Sequence, residues 1–299
     1  MTTLVLLLCA AALSVRTEAC AQAAREAVRL CMETVIPSLF PFMVLSSLLI
    51  ACGTAAALGR RLRGLCGALF GLSGAGAGAL ALGLVGGYPV GARCAAELVR
   101  GGGLSREEGE RLLAFCNNAG PGFILGMCGT ATFHRARAGA WLYLVHVLAA
   151  LLMGMLLRRR GAVPAAQPGG MPGKPLSHAL GPAVRASCAG MGTVCGFVVL
   201  FAVLLRMAEG VTGTLPPLWR ALLAGAVELT SGVLSLPDTR AGFVCCAALL
   251  GWGGLSVHAQ TLAMLEGCGL RARRYFLGKL LHALLSAALA LAAAPWALG

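Results

Sequence analysis

Apolar residues run along this chain in long stretches that short polar or basic clusters separate. Residues 141–157 form one such stretch, with Trp141 and Tyr143 at one end, and residues 275–294 form another. A helix needs about 20 apolar residues to cross a bilayer, and aromatic side chains favour the membrane interface. The pattern therefore predicts an all-α, polytopic helical membrane protein with roughly seven to nine crossings or half-crossings.

Three segments rich in Gly, Pro or polar residues interrupt these stretches: the first break (residues 86–93), the second break (residues 117–123) and the third break (residues 253–260). The helix-breaking residues are Gly86, Gly87, Pro89, Gly91, Gly120, Pro121, Gly253 and Gly254. Unpaired backbone groups find no water in a bilayer, so such breaks survive only where they line a protein-walled or water-filled cavity. The pattern therefore predicts broken or re-entrant helices around a cavity.

The first and third breaks resemble each other weakly. They align without a gap, and each is followed by a short apolar helix and then by Gly-x-Gly-Leu, at residues 101–104 and 267–270. Paired interruptions in two halves are a pointer to a transporter's binding site. We therefore predict a first membrane half (residues 1–160), a basic Pro/Gly linker (residues 161–178) and a second membrane half (residues 179–299). The alignment leaves open whether the repeat is inverted or parallel.

The remaining segments carry more specific expectations. Residues 16–33 place charges on one helix face and favour an interfacial or cavity-facing helix. Residues 60–63 read as a basic loop, residues 64–85 as a Gly-rich span, and residues 218–236 as a span that contains Glu228. Ser105, with Glu108 three residues later, predicts a capping box at the start of an amphipathic helix.

The amino-acid composition supports a membrane location and argues against nucleic-acid binding. The chain has 299 residues, of which 58% are hydrophobic and 12% charged, with a mean hydropathy of +0.83; soluble domains carry about 25% charged residues. It has 24 Lys and Arg against 11 Asp and Glu, a net charge of +13. Much of this charge lies in short segments such as residues 60–63 and 158–160, as the positive-inside rule predicts. The expected partner is therefore membrane lipid and not nucleic acid.

Metal, cofactor and catalytic motifs are missing from the sequence. The 13 cysteines form no CxxC pair and have no His cluster beside them, so they read as small hydrophobic residues. Neither HExxH nor GxSxG occurs. We expect no metal, no cofactor and no enzymatic activity.

Four spaced motifs resemble the YlbJ (SpoVV) family of sporulation integral membrane proteins, which is related to the nucleoside-recognition Gate domain. They lie at residues 36–42, 87–92, 117–123 and 253–260. The resemblance covers nearly the whole chain. It implies a permease that moves dipicolinic acid, a small aromatic dianion, from the mother cell across the outer forespore membrane.

A site for such a dianion needs cationic or N–H donors and a flat apolar slot. Arg93, at the start of a helix, offers a guanidinium fork and a positive helix end. The predicted substrate-binding residues are Arg93, Tyr88, Asn117, Asn118, His258 and Gln260. Trp252 is an alternative stacking partner to Tyr88. Glu228 is a candidate coupling site or a charge partner of Arg93, because ionisable residues inside spans are functional candidates.

Two other functions stay open. The Gate relationship favours a nucleoside or nucleobase transporter, whose site would use Asn and Gln more than Arg. A membrane protein that acts in assembly or signalling, without transport, is the second alternative. The energy source and the oligomeric state are open as well.

Overall fold

The computed structural model describes Thr3, Ala10, Ala11, residues 13–158 and residues 173–299. Most of the predicted linker at 161–178, including residues 161–172, lies outside the described residues. Every element in the described part is helical. Two segments, π1 (Cys31–Val35) and π2 (Gly122–Thr132), are π-helical. The α-helices are α1 (Thr17–Leu30), α2 (Ile36–Ala51), α3 (Thr54–Phe70), α4 (Gly74–Gly86), α5 (Val90–Arg100), α6 (Arg106–Cys116), α7 (Ala136–Leu156), α8 (Leu176–Thr212), α9 (Pro217–Val227), α10 (Leu229–Leu234), α11 (Arg240–Trp252), α12 (Gly254–Leu265) and α13 (Arg273–Leu298).

Five helical segments of the described chain are long and apolar enough to cross a membrane. They are Thr17–Ala51, Ala136–Leu156, Leu176–Glu209, Arg240–Leu265 and Arg273–Leu298. Helices α3 and α4 pass the same test as a pair bent by 92°, and π2 and α9 are shorter apolar helices. The prediction of an all-α polytopic membrane protein with broken helices is confirmed.

The charged residues 16–33 do not form a helix of their own. Helices α1, π1 and α2 run on as one segment from Thr17 to Ala51, 35 residues long. Such a helix is about 50 Å long, well beyond the roughly 30 Å of a hydrocarbon core. Its charged end therefore has room to extend past the apolar layer, and residues 16–33 belong to a longer helix than the interfacial or cavity-facing one predicted.

The predicted basic loop at residues 60–63 and span at 64–85 are also wrong. Residues 60–63 lie inside α3, which continues to Phe70 before the chain turns by 92° into α4. Gly71 ends α3 in the left-handed region, with φ of 63°, and Ser73 caps α4 by accepting a hydrogen bond from Gly76 N at 3.2 Å. We call residues 71–73 the elbow.

Helix α6 holds the elbow from the side. Glu108 Oε1 accepts a hydrogen bond from Ser73 N at 2.6 Å, and Arg111 Nη2 donates to Gly71 O at 3.0 Å. Ser105 caps α6 by accepting from Glu108 N at 3.1 Å, as predicted. The backbone groups that the bend exposes thus find partners 35 and 40 residues later in the chain.

The apolar core does not divide at the linker. The largest buried cluster combines residues of both predicted halves, among them Ile124, Met127 and Leu142 with Phe243 and Leu250. A second cluster packs α1, π1 and α2 against α8. The two halves of the sequence therefore bury their apolar faces against each other.

Candidate functional site

A cavity lies where the first, second and third breaks meet. The first break contributes Gly86, Gly87 and Tyr88 to its wall, and the second break contributes Gly120, Gly122 and Phe123. The second half contributes Glu228, Leu229, Thr230, Ser256, Val257 and Gln260. Apolar side chains of α2 and α8 complete the lining, namely Leu39, Phe42, Met43, Val194 and Val198.

The first break brings its backbone against the second. Helix α4 ends at Gly86, Gly87 has φ of 72°, and α5 begins at Val90 after a cis Tyr88–Pro89 peptide. A Cβ at Gly87 would lie 2.8 Å from Gly120 N. Only glycine fits at this position. Other residues rarely adopt this φ, and their Cβ would come too close to Gly120 N.

The second break ties the two halves together through Asn117. Its Oδ1 accepts a hydrogen bond from Ala92 N in the first turn of α5, at 3.2 Å, and its Nδ2 donates to Thr261 Oγ1 of α12, at 2.8 Å. Asn118 instead closes a local turn, with Nδ2 2.7 Å from Phe115 O. Pro121 then starts π2.

The third break lies against Tyr88. Helix α11 ends at Trp252, and Gly253 and Gly254 have φ of 93° and 80°. The Tyr88 hydroxyl donates to Leu250 O at 3.0 Å, and a Cβ at Gly253 would lie 3.1 Å from that hydroxyl. The two segments that align in sequence are thus in contact in space.

A fourth break, at Glu228, was missed in the sequence. The predicted span at 218–236 is wrong, because α9 ends at Val227 and α10 starts at Leu229. The Glu228 carboxylate caps α10, accepting from Thr230 N at 3.0 Å and from Ser231 N at 2.7 Å. Glu228 is 1% exposed, and among the described residues no Lys or Arg forms an ion pair with it, so it is not the charge partner of Arg93.

The predicted site residues divide into two sets. Those that line the cavity are Tyr88, Gln260, Glu228, Gly86, Gly87 and Gly120. Those outside its lining are Arg93, Asn117, Asn118, His258, Pro89, Gly91, Pro121, Gly253 and Gly254. The second set includes residues that hold the wall in place, such as Asn117.

Arg93 does not face the cavity. Its Nε lies 2.8 Å from Glu97 Oε1, one turn further along α5, and the two side chains are 40% and 44% exposed. The neighbouring Ala92, Cys94 and Ala95 are buried instead. Helical periodicity places Arg93 and Glu97 together on the outer face, so the expectation that the guanidinium points at a bound ligand is corrected.

A buried polar network lies behind the cavity wall. Lys279 Nζ donates to Asn117 O at 2.7 Å and lies 5.2 Å from the centre of the Tyr88 ring. Tyr275 Oη lies 2.8 Å from His258 Nδ1 and 3.2 Å from Thr261 Oγ1. His258 therefore belongs to this network and not to the cavity surface.

A pair of stacked histidines continues the network. The rings of His146 and His282 lie 4.5 Å apart, His282 Nε2 donates to His146 O at 3.0 Å, and His146 Nε2 accepts from Ala119 N at 3.1 Å. Sequence reasoning missed Lys279, His146 and His282. Their signal was present, since ionisable residues inside spans are candidates by default. Within the part of the chain that the structure describes, no three His, Cys, Asp or Glu side chains are grouped to hold a metal ion.

Fold and site together define a polytopic helical membrane protein whose broken helices enclose a shared cavity. The chain is 30% identical to the sporulation integral membrane protein YlbJ of Bacillus subtilis strain 168, over 89% of this chain and 75% of that protein. The chain belongs to the YlbJ family. No family model matches it, and no solved structure matches it.

Proposed function

We propose that this protein is a permease that moves a small aromatic anion, dipicolinic acid, across a membrane during sporulation. Its YlbJ relative is named as a sporulation integral membrane protein, and the fold is that of a membrane protein with five candidate spans in the described residues. The location that follows from this proposal is the outer forespore membrane.

The observation that carries the proposal is the cavity at the junction of the helix breaks. Residues of both halves line it, including Tyr88 from the first break and Gln260 from the third break. Broken helices that meet between two similar halves are a recurring design of transporter binding sites, because their free backbone groups and helix ends can contact a ligand.

The lining suits a flat ring with polar substituents. Phe42, Tyr88 and Phe123 offer aromatic faces, which prefer offset or edge contacts with another ring. Gln260 is 3% exposed and Ser256 1% exposed, and both line the cavity. Few polar groups in a mostly apolar pocket give a ligand its orientation.

The direct test is flux into liposomes that contain only this protein. Radiolabelled dipicolinate should accumulate in proteoliposomes faster than in empty liposomes, and Gln260→Leu should reduce that flux. Gln22→Leu is the matched control, because Gln22 is exposed on α1 and bonds to Glu26. If purified wild-type protein carries no dipicolinate in either direction, the proposal fails.

A nucleoside or nucleobase is the second candidate substrate. The specific observation in its favour is that an amide (Gln260) and a carboxylate (Glu228) line the cavity, while Arg93 does not. Such groups recognise the N–H and C=O edges of a neutral base. Competition separates the two candidates: inhibition of dipicolinate flux by pyridine dicarboxylates alone supports the first, and inhibition by nucleosides supports the second. A protein that acts only in assembly would carry neither.

A test in cells follows from the family. Expressed in a Bacillus subtilis strain that lacks its own YlbJ, the protein should restore the dipicolinate content of the spores, and a fluorescent fusion should outline the outer forespore membrane. A fusion that labels only the mother-cell periphery would contradict the proposed location. Variants that fail to reach the membrane are recognised by the same images.

A further inference from the structure

Lys279 is the most unusual charged residue in the described chain. It belongs to α13, a candidate span, and its side chain is 0% exposed. Its neighbours on the buried face of that helix, Tyr275, His282 and Ser286, are polar and fully buried as well. Spacings of three and four residues place these side chains along one stripe.

The Lys279 ammonium has no carboxylate partner among the described residues. Asn117 O accepts one of its three hydrogens, at 2.7 Å, and the centre of the Tyr88 ring lies 5.2 Å from Nζ. A buried charge is costly unless it is paired, and such residues in membrane spans mark substrate or ion pathways. The arrangement therefore leaves a buried amine that no carboxylate of the described residues pairs with.

Tyr88 lies close to the Lys279 ammonium and also lines the cavity. The ring lines the cavity, and the Lys279 Nζ lies 5.2 Å from its centre. The Tyr88 hydroxyl is tied to Leu250 O across the third break. The ring is thus held between the two halves, and its displacement would give an anion in the cavity access to Lys279.

We propose that Lys279 is the cationic anchor for a carboxylate of the transported anion, and that the Tyr88 ring covers it until the anion enters. This inference rests on the proposed transport of an aromatic anion and names the residue that would bind its charge. An ammonium in low dielectric forms a strong charge-assisted hydrogen bond with a carboxylate. The ligand class is an aromatic carboxylate, because Tyr88 and Phe123 offer ring contacts in the cavity.

The chain has only two lysines, Lys174 and Lys279, which permits a direct measurement. Full-length protein with ¹³C at lysine Cε, in nanodiscs, gives two lysine signals, and Lys174→Met assigns them. Dipicolinate should shift the Lys279 signal in a saturable manner and leave the Lys174 signal in place. The neutral analogue pyridine-2,6-dicarboxamide should leave the Lys279 signal unshifted. A Lys279 signal that no aromatic carboxylate moves overturns the proposal.

Substitution gives a second readout. Lys279→Met should weaken dipicolinate binding by about 10- to 100-fold, which is the effect of losing a hydrogen bond to a charged group. Binding of the neutral diamide should stay within about twofold of the wild-type value. Lys279→Arg should recover part of the loss. A Lys279→Met protein that binds and carries dipicolinate like the wild type overturns the proposal, and if this variant does not fold, the titration of wild-type protein decides.

The proposal that the Tyr88 ring covers Lys279 can be tested separately. In wild-type protein, a small amine-acetylating reagent should modify Lys174 and spare Lys279, as peptide mass spectrometry would report. Tyr88→Ala should expose Lys279, and dipicolinate should protect it again. Tyr143→Ala is the matched control, since the Tyr143 hydroxyl also bonds a backbone carbonyl, Leu84 O at 3.2 Å. Equal modification of Lys279 in all three proteins overturns the covering role.

The results of these experiments distinguish the anchoring role of Lys279 from the transport of dipicolinate by the protein. If liposomes carry no dipicolinate but another aromatic carboxylate shifts the Lys279 signal saturably, the anchor stands and the dipicolinate permease falls. If dipicolinate flux is normal and Lys279 shows no response to it, the permease stands and the anchor falls.

Discussion

Arg93 and Lys279 show how the position of a side chain outweighs its charge. Both are cations in an apolar chain: Arg93 is the last residue of the first break, and Lys279 lies inside α13. Arg93 pairs with Glu97 on an outer face, whereas Lys279 is fully buried beside Tyr88. Sequence reasoning favoured Arg93 because it adjoins the first break. The helical phase that turns it outward depends on how α5 packs, with Ala92, Cys94 and Ala95 buried, and the sequence around the break does not reveal this.

Arg93→Ala should leave dipicolinate flux and thermal stability near wild type. An exposed pair four residues apart in a helix contributes only about 0.3–0.5 kcal/mol, and Arg93 is outside the cavity lining. The measurement is flux in proteoliposomes, with Lys279→Met in the same series as the variant expected to lose it. A large loss of flux in Arg93→Ala would return Arg93 to the binding site.

Glu228 is the carboxylate for which we propose a coupling role. Glu228→Gln keeps one acceptor oxygen for the start of α10, whereas Glu228→Ala removes the cap and should cost about 0.5–2 kcal/mol of stability. In proteoliposomes, Glu228→Gln should exchange substrate without responding to an imposed pH gradient. Glu33→Gln, at an exposed pair with Arg29, is the control. A gradient that still drives accumulation in Glu228→Gln would exclude Glu228 as the coupling site.

At the scale of elements, the long spans were predictable and their interruptions were only partly so. Helices α7 and α13 follow from long apolar runs, and the first and third breaks follow from paired glycines. The elbow escaped prediction because its partners, Glu108 and Arg111, come from a helix distant in sequence. The break at Glu228 escaped because no Pro marks it and the two nearest glycines, Gly225 and Gly232, lie inside α9 and α10; the Glu228 side chain itself supplies the cap.

The breaks approach each other so closely that one methyl group should separate them. A Cβ at Gly91 would lie 2.9 Å from Asn117 Cα and would also run into the Cys116 carbonyl group. Gly91→Ala should therefore lower the free energy of unfolding by about 1–3 kcal/mol, the usual range for overpacking. Thermal unfolding in detergent measures the effect.

Gly64→Ala is the matched control for Gly91→Ala. Gly64 lies within α3, and a Cβ there meets nothing within 4 Å. Alanine in place of glycine should leave stability unchanged or raise it by up to about 1 kcal/mol, because glycine is a poor helix former. A Gly91→Ala protein as stable as Gly64→Ala would show that the first and second breaks are not packed as described.

At the scale of the whole molecule, the two halves should depend on each other. Buried clusters combine Leu142 of the first half with Phe243 of the second, and α2 and π1 with α8. Residues 1–160 or 179–299 expressed alone should be degraded or aggregate, because each would expose those faces. Expressed together, the two pieces should assemble into a particle of the full-length size.

Size-exclusion chromatography of fluorescent fusions reports that outcome. A monodisperse, protease-resistant piece formed by residues 1–160 alone would contradict the shared core. The sequence suggested two halves from their resemblance, but the interleaved packing could not be predicted, since resemblance says how segments repeat and not which faces they bury together.

The elbow carries a consequence for how the protein is made. Ser73 N forms its hydrogen bond with Glu108 Oε1, and Gly71 O forms its hydrogen bond with Arg111. Both partners lie at least 35 residues later in the chain and are synthesised later. Synthesis proceeds from the N-terminus, so α3 and α4 leave the ribosome while their turn still has unpaired backbone groups. Lipid offers those groups no partner. The bend between α3 and α4 therefore acquires these two hydrogen-bond partners only after α6 has been translated.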